Sequence, residues 1–482
     1  MRRVLKWVGW TLAVLIGLPI LLVVIVLILA NTGPGQRLIE RQTASLTGDT
    51  LRMSGLSGRF PDALHVGRLE LADAKGVYLT LEGVVLDWAP TRLISGEVRV
   101  DELSADHADF ARLPVSEPSS TTSSSSSSSY SLPVRVVVET LKIPRFDVGK
   151  PVAGEAATLS VAGSAKLDSL ETGQAKLDVT RLDSPGHYTL DGAVDPAHIR
   201  AALTVDEPPH GLIAEMAGLP DLGAIAADAR LDGPRDAVGT KLTLSAGELH
   251  ATANGTVDLV HEAADLNIAA NAPAMSPRPD VSWQSVHVDA RVHGPFTKPD
   301  ANGTVRIADL KAAGAAIQAL NADVTGNAGQ VALKARAEGL VVPGPKPDLL
   351  AGGPLTLDAT ARLDAPDRPV IFTLHHELLD TTGSAKTAGP LQAHVVLKAP
   401  DLAPLAAAGG VDLQGHTNLT VDAAQQGDTT SVTLNGTLGV TGGMAPVPAL
   451  IGPDAKIDLA ASMTGQDIRV TRLAVNGKTL DV

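Results

Sequence analysis

The chain has 482 residues, 39 Lys and Arg against 53 Asp and Glu for a formal net charge of −14, and no cysteine. The acidic balance lacks the basic footprint that nucleic acid needs, and the missing thiols exclude Cys-ligated metal, a thiolate nucleophile and disulfide scaffolding, as suits a bacterial envelope protein. Hydrophobic residues make up 44% but aromatic ones only 2%, with 46 Gly and 32 Pro, so the apolar material is small and aliphatic, unlike the ring-rich core of a compact enzyme.

Residues 1–6 carry Arg2, Arg3 and Lys6, and Trp7 to Ala30 is a run of 24 uncharged positions. At ~1.5 Å per residue this is about 36 Å of helix, enough to cross a ~30 Å hydrocarbon core with some tilt. A cleavable signal peptide has an apolar stretch of only about 7–15 residues and a small-residue cleavage site, which does not follow Leu29. The run therefore reads as a retained signal anchor, with Trp7 and Trp10 as interfacial rings. The positive stub keeps residues 1–6 in the cytoplasm. The expectation is a single-pass bacterial inner-membrane protein with its bulk in the periplasm and its net-acidic surface repelled by anionic head groups.

Past the anchor, Gln36 to Leu46 suits a short helix, and after it the hydropathy alternates with period two. Residues 31–115 form a first β region, 116–131 a Ser-rich loop or linker, and 132–482 a repeated meander. Leu355, Leu357, Ala359, Ala361 and Leu363 fall on one face of an alternating strand and Thr356, Asp358, Thr360 and Arg362 on the other. The pattern recurs at Val98 and Val100, at Val257 and Leu259, and at Ile457 and Leu459. Strands with one wet face are antiparallel. Asn254-Gly255, Asn302-Gly303, Asn435-Gly436 and Asn476-Gly477 read as two-residue hairpin turns, because Asn-Gly supplies the positive φ values such turns require; as glycosylation sequons the first three are weaker. Pro-, Asp-, Leu- and Gly-rich clusters at 212–223, 347–357, 400–413 and 448–459 each read as a helical turn leading into strands.

The apolar face needs a cover. An Ala-rich sandwich would cover it with a second sheet; a groove would leave it for an apolar ligand. The residues that would line a groove are Val98, Val100, Val257, Leu259, Leu355, Leu357, Ala359, Ala361, Leu363, Ile457 and Leu459.

No phosphate-binding, dinucleotide, nucleophile-elbow or zinc-protease motif occurs, which argues against an enzyme and leaves no cofactor to assign. His375 and His376 point to opposite faces of a strand and read as surface or edge residues; His287 and Asp289 share a face but lack a third ligand, so no metal site is assigned.

One stretch carries more than a pattern. Gly55 and Gly58, then His65 to Leu71, Leu86, Asp87, Trp88, Ala89 and Pro90, and a short turn to Gly96 ahead of Val98 and Val100 resemble the start of the TamB family, within the AsmA-like group. The resemblance covers residues 1–115 in detail and 132–482 in style. It implies an elongated, curled antiparallel sheet, a half-pipe whose apolar concave face holds phospholipid acyl chains. It implies an Omp85-type outer-membrane barrel, TamA or a relative, as partner. It also implies a role in the translocation and assembly module, conducting phospholipid or assembling autotransporters and outer-membrane proteins. Family members are usually more than twice this length and end in a barrel-docking region, which is not legible here. Lipid bridge, assembly factor whose sheet edges template nascent strands, and structural tether are the three readings carried forward.

Overall fold

The computed structural model describes residues 28–115, 135–169, 171–464 and 467–481. The expected anchor, with Trp7 and Trp10, lies outside the described residues apart from helical Ile28 to Ala30, as does the Ser-rich stretch. Among the described residues no helix is long and apolar enough to cross a membrane. The fold is mainly β, with 28 strands, and divides into two compact units, 1–234 and 235–482.

The first unit opens with helix α1 (Gly33–Leu46), which Thr32 caps by accepting the Gly35 amide. Strands β1 (Leu51–Arg59), β2 (Ala63–Asp73) and β3 (Gly76–Trp88) follow as an antiparallel meander. Strand β3 then pairs with both β4 (Glu97–Ser104) and β5 (His107–Phe110), which lie end to end beside β6 (Arg135–Val148). Both run parallel to β6. This corrects the all-antiparallel expectation: a parallel neighbour needs a connection of a dozen or more residues, and 24 residues separate Phe110 from Arg135 in the sequence. From β6 the ladder is antiparallel through β7 (Ala157–Leu167), β8 (Gly173–Arg181), β9 (His187–Val194), β10 (His198–Glu207) and β11 (Ile225–Pro234).

Strands β1, β2 and β3 are too long to keep one alternation. Leu51 and Met53 pair with Leu71 and Leu69, then Leu56 pairs with Val66: the parity switches, yet Met53 and Leu69 pack in one cluster with Leu56 and Val66. The switch falls at Gly55, Gly67 and Gly83, which lie opposite one another. Gly55 and Gly83 have φ of 72° and 62°, and a Cβ on Gly83 would sit 2.1 Å from Asp106 Oδ2. Beside this crease Leu56, Val66, Val84 and Ala105 are buried, with Ile39 of α1 packed against them.

The second unit is an antiparallel meander from Val238–Ala246 to Asp467–Asn476. Three of the four Asn-Gly pairs correct the hairpin expectation by lying inside strands: Leu249–Asp258, Asp300–Ala312 and Thr429–Gly443. Alternation overrides turn chemistry there. Each Asn takes the polar face and each Gly the apolar one, and at two of them a neighbouring strand leaves no room: a Cβ on Gly255 or Gly436 would meet a backbone oxygen at 1.8 or 2.2 Å. The fourth pair ends its strand, with Asn476 bridged to Asp481.

The helical turns stand ahead of strands: α2 (Lys150–Ala153) before β7, α3 (Leu212–Met216) before β11, a 3₁₀ turn at Pro347–Leu350, α4 (Ala403–Ala408) and α5 (Val447–Ile451). Among the described residues of the second unit, no second sheet covers the meander. Its buried apolar residues are Val238, Ala246, Ala264, Ala272, Ala337, Ala399, Val440 and Ala455, too few and too small among the described residues for a sandwich core.

Candidate functional site

In an antiparallel ladder, directly paired residues share a face. Following the pairs from strand to strand shows what each face carries. In the second unit Leu244, Ala251, Ala270, Val288, Val305, Ala322 and Ala335 stand in one row. The row continues through Leu357, Leu374, Thr381, Leu397, Leu419, Gly436, Ile457 and Val475. It contains one hydroxyl and no charge. The neighbouring row through Leu333, Ala359, Phe372, Val395, Val421 and Leu459 has neither. The opposite face reads Asp289, Thr304, Asp323, Lys334, Asp358, Thr373 and Thr382 over the same strands.

The first unit carries its own row: Leu64, Leu86, Leu103, Leu141, Gly163, Leu177, Leu190, Leu203 and Ala229. Leu177, Leu190 and Leu203 remain 37%, 38% and 41% exposed. Apolar side chains aligned and uncovered to this degree are a surface waiting for a cover.

The helical turns give this face its curvature. A span of four strands on a flat sheet is ~19 Å at ~4.8 Å per strand, and that separates α2 from α3. Yet Leu212 of α3 packs with Ala153 of α2 and with Val148, Ala157 and Leu159. The 3₁₀ turn at Pro347–Leu350 and α4, again four strands apart, also touch. At this rim the first unit's sheet therefore curls toward its apolar face, making that face a trough, and the second unit's sheet curls at the matching rim. Small clefts also open on the polar face, one of ≈440 Å³ beside Lys386, His394 and Asp422.

Val98 and Val100 pair with Val136 and Val138 in the first unit's sheet. Val257, Leu355, Leu357, Ala359, Ala361, Ile457 and Leu459 share the second unit's apolar face. Leu259 and Leu363 lie just past their strand ends; Leu259 is 50% exposed, and both amides are held by backbone carbonyls, of Arg235 and Gly329.

The motif residues fasten the sheet rather than line the trough, Leu86 apart. Trp88 donates Nε1–H to the Pro61 carbonyl at 2.6 Å and its amide to Asp62, pinning the β1–β2 turn. Asp87 lies opposite Glu102, Pro90 starts a 3₁₀ turn, and Gly96 ends it at φ 72°. Gly58 has φ 88° and abuts the Ala63 carbonyl.

Sequence reading missed the buried polar group at the first unit's rim. Arg181 sits opposite Leu159, is 7% exposed, and is held by Glu155 at 2.8 Å and Asp183 at 2.9 Å. The Arg181 hydrogen bond keeps the Asp183 carboxyl below its usual range. Glu207 is 1% exposed; it accepts the Tyr188 hydroxyl proton and, through Oε2, the Ile213 amide at 3.0 Å. Burial and then Glu207 push the Tyr188 phenol up. The signal was in the sequence: Arg181 and Glu207 are charges at apolar parity, two residues after Val179 and Val205. His376 is likewise a correction. It faces the trough beside Leu355 and Leu379, is 1% exposed, and accepts the Leu378 amide at Nδ1, whereas His375 meets Asp380 on the wet face. Among the described residues no three His, Cys, Asp or Glu side chains are grouped to hold a metal.

These features define a mainly β protein built on amphipathic single-layer sheet, one face a trough and the other solvated. Residues 21–184, about a third of the chain, match the family described as TamB, N-terminal domain. No curated protein and no solved structure matches the chain.

Proposed function

We propose that this protein is an envelope-biogenesis factor of the TamB type, anchored in the inner membrane through residues 7–30, whose trough holds phospholipid acyl chains in the periplasm. The observation that carries the lipid reading is the uncharged row from Leu244 to Val475. Each methylene moved from water to such a surface gains about 0.8 kcal/mol, so a trough without charged gaps offers an acyl chain neighbouring sites of similar free energy. No bond is made or broken, and no cofactor is required. A working partnership with an Omp85-type outer-membrane barrel such as TamA, in lipid delivery or in assembly of autotransporters and barrel proteins, rests on the TamB N-terminal domain alone.

Lipid mass spectrometry of the purified full chain tests the lipid reading. Phospholipid should co-purify with the parent and fall several-fold in a folded Leu357→Asp/Ala359→Asp variant. A folded parent that carries no lipid overturns it.

A further inference from the structure

Helix α1 has two unlike sides. Ile39 faces the cluster around Leu56 and Val66, and Glu40, the helix's one acidic residue, turns to accept the Leu56 amide at 2.8 Å. The outward side holds Arg37, Leu38, Arg41, Gln42, Ser45 and Leu46, all exposed, which fall within half a turn at ~100° per residue. Leu38 is 59% and Leu46 82% exposed. Neither Arg37 nor Arg41 has a partner among the described residues. Two leucines beside two free arginines, with no acid, is the composition of a helix face that rests in a head-group layer, its leucines in the acyl boundary and its guanidiniums on phosphates. It is also an exception on a chain of net charge −14.

The helix is held next to Ile28 to Ala30, the described end of the apolar run. Asn31 donates Nδ2–H to the Phe60 carbonyl at 2.9 Å and accepts the Phe60 amide at 2.8 Å, tying the end of that run to the β1–β2 turn. Gly35 sits where a Cβ would lie 1.9 Å from the Leu29 carbonyl, so the chain turns tightly between Ala30 and α1. We infer that the outward face of α1 is a membrane-surface contact, a collar that lies on the anionic bilayer entered by residues 7–30 and sets the first unit against it. This rests on the anchor reading in the proposed function.

The chain has no cysteine, so Leu38→Cys and Leu46→Cys can carry single environment-sensitive NBD labels. The labelled full chain is captured in nanodiscs of phosphatidylcholine with phosphatidylglycerol, and in discs of phosphatidylcholine alone. The expected result in anionic discs is blue-shifted emission raised several-fold and quenched by head-group nitroxide lipids, with both effects weakened in the neutral discs and lost in Arg37→Glu/Arg41→Glu. Capture with water-like emission at both positions overturns the collar and leaves the anchor standing, as does a shift that resists the nitroxide lipids or survives the charge reversal. Failure of the chain to enter discs at all overturns the anchor and the collar together.

Discussion

Gly303 and Gly436 follow asparagine in the same way and stand at trough positions in two strands, yet their surroundings differ. A Cβ on Gly303 would meet the Ala290 methyl at 3.2 Å and the Asp289 carbonyl oxygen at 3.3 Å, contacts that a strand shift of a few tenths of an ångström relieves, whereas on Gly436 it would meet the Asn418 carbonyl oxygen at 2.2 Å, which no small shift relieves. Gly436→Ala should therefore destabilise the second unit by about 2 kcal/mol or more, and Gly303→Ala by less than ~1 kcal/mol. Paired chemical denaturation of the two variants measures this; equal costs would count against the close strand approach at Gly436. The same residues show why Asn-Gly misled the sequence reading. The dipeptide reports a preference of the isolated chain, while the outcome here is set by neighbouring strands that the dipeptide does not reveal, through Asn418 at Gly436 and Ala290 at Gly303.

Among the elements, the strands were legible and their fastenings were not. Alternation placed Leu357, Val257 and Leu459 on one face because a single-layer sheet gives period two no competitor. The parallel pairing of β4 and β5 with β6 was hidden, since it depends on a crossover whose ends carry no local pattern. Helix α3 was legible as a Pro- and Gly-flanked turn, but its attachment was not. With five residues it has no stability of its own; it is seated by Leu212 in the apolar cluster and by the Glu207 carboxylate on the Ile213 amide. Glu207→Ala leaves that amide and the buried Tyr188 hydroxyl without an acceptor, at about 1–3 kcal/mol. Amide exchange over residues 213–219 should then rise on the order of 10- to 100-fold, while β8 to β10 keep their protection. Unchanged exchange in α3 would assign its seating to Leu212 alone.

At the scale of the molecule the lesson is economy. With 2% aromatic residues and a largely Ala, Val and Leu inner face, neither unit builds a sandwich core from its described residues. The chain spends its apolar residues on one side of single-layer sheet and its charges on the other. The cost is that burial comes from rim turns and from whatever occupies the trough, so occupancy should follow strand parity strictly. A photo-crosslinking residue at Val305, Leu333 or Val421 should capture lipid in cells, and at Thr304, Lys334 or Thr420, one position away, should not, because neighbours in a strand face opposite sides of the sheet. Crosslinks without that period of two, or confined to the polar set, would remove the trough as the lipid path and leave α1 as the chain's lipid-facing surface.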